Sequence, residues 1–215
     1  MCLLSYVKSE QQTVFTSNRD ISITRPPAES ISTHIVNGKR ISFPKDYKGG
    51  SWLAYDDSKI MIVLNGAEQN HLPGGTYGKS RGLILLELMT NDSLTYWHSM
   101  DLEGIEPFTM VYLDEAGQLY QLSWDEHAKK TLILDADINR VWMSSTLYTE
   151  EEKKKLKEKF QETTLTTLEQ ALDFNKVNHY AEIKSSATRI STVETVSLHQ
   201  IIKEPSGITC NEYLP

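Results

Sequence analysis

Between Phe108 and Met143 four short runs, FTMVYL, QLYQLSW, TLILD and RVWM, follow one another with turn residues between them. Each is rich in β-branched and aromatic residues, and links this short join antiparallel neighbours rather than parallel ones. They predict a meander of four strands, with Gly117 of the DEAG link able to take positive φ. A chain carrying this block must build its core around a sheet, and 215 residues are enough to bury one.

The opening of the chain predicts a second strand-forming block. Cys2–Val7 and Thr13–Ser17 flank the polar KSEQQ segment and read as a hairpin. Pairing Val7 with Val14 carries the register down to Cys2 opposite Arg19, and alternation then turns Arg19 and Asp20 to opposite faces. GGSWLAY and IMIVLN, joined at DDSK and ending at Asn65 and Gly66, predict a further hairpin. Ser80–Met89 is apolar nearly all round, the pattern of a buried helix.

Thr149, with Glu152 three residues on, predicts a capping box at the start of a helix through Phe160. Apolar stripes at Leu156 and Phe160, then at Leu165, Leu168 and Leu172, place a break among the intervening threonines. TRISTVETVSLHQII predicts a last strand before a short tail containing Pro and Gly. Strands, buried helix, strands, helix and strand make an α+β chain, read as a single domain over 1–215, and do not suit a doubly wound sheet.

Composition narrows the function. Hydrophobic residues make up 39% and charged residues 24%, a globular balance, and the net charge of -7 with no basic stripe excludes nucleic acid as the expected partner. GGTYGKSRG lacks the spacing of a phosphate loop. The six histidines form no ligand-spaced pair, so neither a metal nor another cofactor is expected. Two cysteines at opposite ends form no disulfide framework, and no signal-peptide core or membrane-length apolar run is evident. A cytoplasmic setting follows as the expectation, with the oligomeric state undetermined.

The chemistry-bearing feature is Cys2. Removal of Met1 would leave this residue with both a thiol and a free α-amine, whose ordinary pKa of about 8 suits a general base acting through one water. Arg19, facing the thiol, would favour the thiolate and could hold a substrate carboxylate or carbonyl. Asp20 could accept from the amine, and Asn65 carries the amide donor an oxyanion needs. A cysteine here also reads simply as a small buried residue starting a strand.

MCLLSY, FTSNRDISITRPP, GGSWLA, LNGA, SRGLILLEL, VWMSSTLYT and ATRISTV occur in the order seen in the NRDE family, also called the transport and Golgi organisation 2 family. The resemblance runs from Met1 to about Val193. It implies a four-layer αββα sandwich of N-terminal nucleophile (Ntn) hydrolase type, related to penicillin V acylases and bile salt hydrolases. It further implies Cys2 as nucleophile toward a non-peptide amide, Asp20 as holder of its amine and Asn65 as an oxyanion donor. Asn18, Arg19, Ser145 and Arg189 are the implied substrate-binding positions.

Two positions depart from the pattern: Ile21 replaces the glutamate of the family's name, and Ser145 replaces the asparagine expected after Met143–Ser144. Two readings follow. One is a cysteine amidohydrolase acting on a small-molecule amide or related acyl compound. The other is a binding or trafficking protein that keeps the pocket without turnover and takes an apolar ligand such as haem or an acyl-CoA.

Overall fold

The structure, a computed structural model, describes residues 3–69, 71, 77–178 and 193–214. Its first elements are β1 (Leu3–Lys8), β2 (Thr13–Ser22), β3 (Ser32–Val36), β4 (Lys39–Phe43), β5 (Leu53–Tyr55), β6 (Ile60–Asn65), α1 (Arg81–Thr90) and α2 (Ser93–Ser99). Then come β7 (Phe108–Leu113), β8 (Leu119–Trp124), β9 (Lys129–Leu134), β10 (Arg140–Met143), α3 (Glu150–Glu162), α4 (Leu168–Val177), β11 (Val193–Glu204) and β12 (Gly207–Tyr213). These elements sort into two compact units, Met1–Arg25 with Ala136–Pro215, and Pro26–Asp135.

The first unit is an antiparallel sheet ordered β10-β1-β2-β11-β12, with α3 and α4 as its helices. The hairpin has the expected register, Val7 opposite Val14 and, at its far end, Leu3 opposite Asn18. Both helices start at capping boxes, Thr149 with Glu152 and Thr167 with Gln170, which satisfy the orphan amides of each first turn. Leu3, Val7 and Val14 of the strands form one apolar core with Leu156, Phe160, Ala171 and Phe174 of the helices. Phe160 and Phe174 meet edge to face at 5.1 Å between ring centres, which locks the helix pair at its contact.

The predicted stripe of the last helix is rotated in the structure. Ala171, Phe174 and Asn175 face inward, while Leu172 is only half-buried. Asn175 is fully buried and polar, so its hydrogen-bond account must close. Its Nδ2 donates to the Thr16 carbonyl at 2.9 Å and to Asn18 Oδ1 at 2.8 Å. Ser5 Oγ donates to its Oδ1 at 2.6 Å, and Asn18 Nδ2 donates to its backbone carbonyl at 3.1 Å. Gln200 of β11 adds a bond to the Leu168 carbonyl at 2.9 Å. Thus α4 is pinned to three adjacent strands by directional bonds as well as by apolar contact.

The second unit is a seven-stranded antiparallel sheet in which every strand pairs with its neighbours in sequence, β3 through β9. Helices α1 and α2 are inserted between β6 and β7. Close approach seats α1: a Cβ at Gly82 would stand 2.6 Å from the Ser51 carbonyl oxygen, so only glycine fits. The last carbonyls of α2, which lack intrahelical partners, are taken by Lys129 of β9. Its Nζ donates to Trp97 O at 2.9 Å and to His98 O and Met100 O at 2.8 Å each.

Two expectations are corrected, and one hairpin is new. RVWM is not the fourth strand of the meander but β10, paired with β1 in the other sheet. The connecting segment is held there by Tyr6 Oη donating to the Ala136 carbonyl at 2.6 Å and by Lys8 N donating to Asn139 Oδ1 at 2.8 Å. The tail forms β12, a hairpin partner of β11. An unanticipated hairpin, β3–β4, turns at Asn37 and Gly38 with φ of 50° and 79°, the positive pair that a type I′ turn requires. Among the described residues, no helix is long and apolar enough to cross a membrane.

Asn175→Ala removes one member of this buried network and leaves Ser5, Asn18 and the Thr16 carbonyl short of partners. It is expected to lower folding stability by roughly 3 kcal/mol, seen as a reduced urea midpoint at unchanged m. A midpoint like that of the wild type would show that the network contributes little.

Candidate active site

Strand pairing gathers the candidate residues of the first unit at one end of its sheet. Leu3, which follows Cys2, is flanked by Asn18 on β2 and by Met143 on β10. Both partner strands run antiparallel to β1, so Arg19 and Asp20 lie just beyond one flank and Ser144 and Ser145 just beyond the other. β11 brings Thr195 to the same end, opposite Asp20. Cys2 itself and Arg189 lie outside the described residues.

Alternation gives neighbouring positions different surroundings. Asn18, with 0% exposure, turns to the helix side, where Asn175 engages both ends of its amide. Asp20, 3% exposed, accepts a 2.6 Å bond at Oδ1 from Thr195 Oγ1, the short length of a hydroxyl on a carboxylate. A carboxylate accepts several such bonds, so Thr195 fixes Asp20 without exhausting it. The ladder between β2 and β11 slips by one residue between Thr195 and Ser197, a bulge that re-aims the strand beside Asp20.

Arg19, 5% exposed, belongs to the opposite surroundings, and its charge is felt by the fully buried His199. Burial, and then the Arg19 guanidinium, push the imidazole from an ordinary 6.5 down to about 4. A Glu212 carboxylate oxygen 3.5 Å from Nε2 pulls the other way. At that separation it does not offset burial, and the ring is neutral at pH 7.

Ser144 and Ser145 open the turn after β10. Ser144 shares a 2.8 Å hydroxyl contact with Thr146, and its carbonyl accepts from Leu147 N and Tyr148 N at 3.3 and 3.2 Å. The turn therefore holds a fixed shape. Ser145 is 1% exposed, and its Oγ has no hydrogen-bond partner among the described residues. The one described cysteine, Cys210 on β12, has its thiol pushed up to about 12 by burial and then by the Glu212 charge.

In the second unit, half-buried Asn65 ends β6, paired with Phe108, and Gly66 follows at φ 79°. No group of three or more His, Cys, Asp or Glu side chains poised for a metal is found among the described residues. Sequence reasoning misses Thr195 and Asn175. Thr195 depends on a bulge that no alternation announces, whereas Asn175 is detectable as a polar residue four positions after Ala171 on an apolar helix stripe.

No family model matches the chain, and no curated protein matches it. Solved structures do. A variant of the conjugated bile acid hydrolase from Clostridium perfringens aligns at a TM-score of 0.51 with 11% identity, covering 99% of this chain and 92% of its own. A form of that hydrolase with the cysteine at its second position changed to alanine gives 0.51, 10%, 100% and 92%. Penicillin V acylase from Agrobacterium tumefaciens gives 0.50, 9%, 100% and 86%. At such identities the likeness shows the fold: this chain has the mixed α+β fold of the Ntn hydrolases, as its sequence order leads one to expect.

The neutral state of His199 makes stability depend on pH. Between pH 6.5 and about 4 the unfolded chain binds a proton here that the folded chain does not, so stability falls as pH drops through that window. The wild type is expected to lose stability across it with up to about 1.4 kcal/mol per pH unit more slope than His199→Gln, in urea titrations at each pH. Parallel pH profiles would contradict the assignment.

Proposed function

We propose that this chain is an NRDE-type cysteine hydrolase of a non-peptide carbon–nitrogen bond, in a small amide or related acyl compound. The observation that carries the reading is the register of β1 and β2, whose described rungs run to Leu3 opposite Asn18, so that Arg19 and Asp20 follow at the end of the sheet where β1 begins. The Ntn-type fold supports it, and so does the presence of a cysteine at the second position of one structural neighbour. The raised pKa of the Cys210 thiol makes it the less suited of the two cysteines to act as a nucleophile.

In this reading Met1 is removed and the freed α-amine of Cys2 is held by Asp20, itself steadied by Thr195. The amine takes the thiol proton through a water, and Sγ attacks the substrate carbonyl to form the carbon–sulfur bond. Asn65 donates to the oxyanion, and Arg19 and Arg189 hold polar groups of the acyl portion. Asn18, implied by the resemblance as a substrate-binding position, is fully buried with both ends of its amide bonded to Asn175, and in this reading it keeps β2 in place instead of touching substrate. The carbon–nitrogen bond then breaks, and the leaving amine receives the proton. Water, deprotonated by the same α-amine, displaces sulfur, releasing the acid and restoring the thiol.

Ser145 and Ile21 favour a second reading, a pocket that binds an apolar ligand such as haem or an acyl-CoA without turnover. A serine in place of an amide donor weakens oxyanion stabilisation, and loss of one such donor costs on the order of a hundredfold in rate. The two readings separate in one comparison. With a panel of chromogenic small amides and esters, Cys2→Ala is expected to lose at least about a thousandfold in kcat/KM while still binding substrate. Equal rates for wild type and Cys2→Ala would sink the hydrolase reading, and ligand retention by both would then favour binding alone.

A further inference from the structure

Asn65 ends β6 opposite Phe108, and Gly66 after it takes positive φ, so the path of the backbone that carries Asn65 is set where this turn begins. Gly66 is held through both of its backbone polar groups. Gly66 N donates to the Pro107 carbonyl at 3.0 Å, and Thr109 Oγ1 donates to the Gly66 carbonyl at 3.1 Å. The same Pro107 carbonyl accepts from Arg81 Nη1 at 3.1 Å. Arg81, the first residue of α1, also sets Nη2 3.0 Å from Glu106 Oε2, while Glu106 Oε1 stands 3.3 Å from His71 Nε2.

A planar guanidinium bonded to two acceptors in adjacent residues, 106 and 107, cannot rotate without breaking one of them. It thereby fixes the carbonyl on which the Gly66 amide hangs. Arg81 and Glu106 are both mostly buried, so the pair is poorly screened. His71 ties the segment after Gly66 to the same carboxylate. One ion pair therefore reaches the turn from the helix start, from the 106–107 link and from the segment that follows.

We infer that the Arg81–Glu106 pair is a positioning device for Asn65, clamping the Gly66 turn through the Pro107 carbonyl and so fixing the backbone from which the Asn65 side chain projects. This rests on the proposed hydrolase reading for its catalytic meaning, but the geometry it asserts lies wholly within the second unit. Arg81 and Glu106 touch no reacting atom in this account and act through Asn65. Lys79, which pairs with Glu87 of the same helix and has no bond to the turn among the described residues, serves as a control.

The test uses the full chain labelled with ¹⁵N-asparagine, the Asn65 Nδ2 pair being identified by its loss in Asn65→Ala, alongside kinetics on a small amide turned over by the wild type. Arg81→Ala is expected to shift or broaden the Asn65 pair and to lower kcat roughly tenfold or more with KM within about twofold. Arg81→Lys, able to reach only one of the two acceptors, should fall between, and Lys79→Ala should move neither reading. In the Asn65→Ala background, Arg81→Ala should add nothing further to the loss in kcat.

An unmoved Asn65 pair in folded Arg81→Ala, or an equal shift from Lys79→Ala, would overturn the clamp. If Arg81→Ala does not fold, Arg81→Lys and Glu106→Gln give the same decision. A wild type that hydrolyses nothing while the Asn65 pair still responds to Arg81 would remove the hydrolase reading and leave the clamp standing. Active enzyme with an unresponsive Asn65 would do the reverse.

Discussion

The pairing of β1 with its two neighbours is the constraint on which the rest of the first unit depends. β1 lies between β10 and β2, and a slip of one residue would turn every side chain to the wrong face. The register is secured twice. Leu3, Val7 and Val14 must meet the helices' apolar side, and Ser5, Thr16 and Asn18 must meet Asn175. Apolar contact alone tolerates small sliding, whereas a fully buried asparagine bonded to three positions on two strands does not. From that fixed register follows the grouping of Arg19, Asp20, Thr195 and the 144–148 turn at the end of the sheet where β1 begins.

The same sheet gives its ionisable groups contrasting states. Asp20 keeps a hydroxyl donor at hydrogen-bond distance and stays a positioned acceptor. His199, one strand over, is driven neutral by burial and by Arg19. Cys210, on the edge strand, is driven toward the protonated thiol. For His199 and Cys210 burial is the first cause of the shift, lowering the imidazole and raising the thiol because each charged form is the one disfavoured.

Local signals made much of this legible. Val7 and Val14 fix the first hairpin because the polar KSEQQ link leaves one sensible pairing, and Thr149 with Glu152 marks a helix start in four residues. Ser80 caps the apolar helix that SRGLILLEL announces. The Asn37–Gly38 turn also carries its signal locally, since a pair of positive φ values favours that dipeptide. What sequence order conceals is nonlocal. RVWM has the pattern of a meander strand, and only the bonds of Tyr6 and Lys8 to the 136–139 segment reveal which sheet it joins. In the candidate site, Arg19 and Asp20 are legible from register. The Thr195 contact is not, because it depends on a bulge, and the Arg81–Glu106 pair joins residues 25 positions apart whose patterns are those of an ordinary helix start and loop.

The central claim is that Cys2, freed of Met1, accepts an acyl group. Intact mass followed by N-terminal peptide mapping, after brief exposure of untagged protein to an activated small acyl donor and acid quench, reads both parts at once. The expected result is a chain lacking Met1 that carries one acyl increment, mapped to Cys2 and discharged on longer incubation. Retention of Met1 with no adduct at Cys2, or an adduct on Cys210 or on lysines alone, would contradict it.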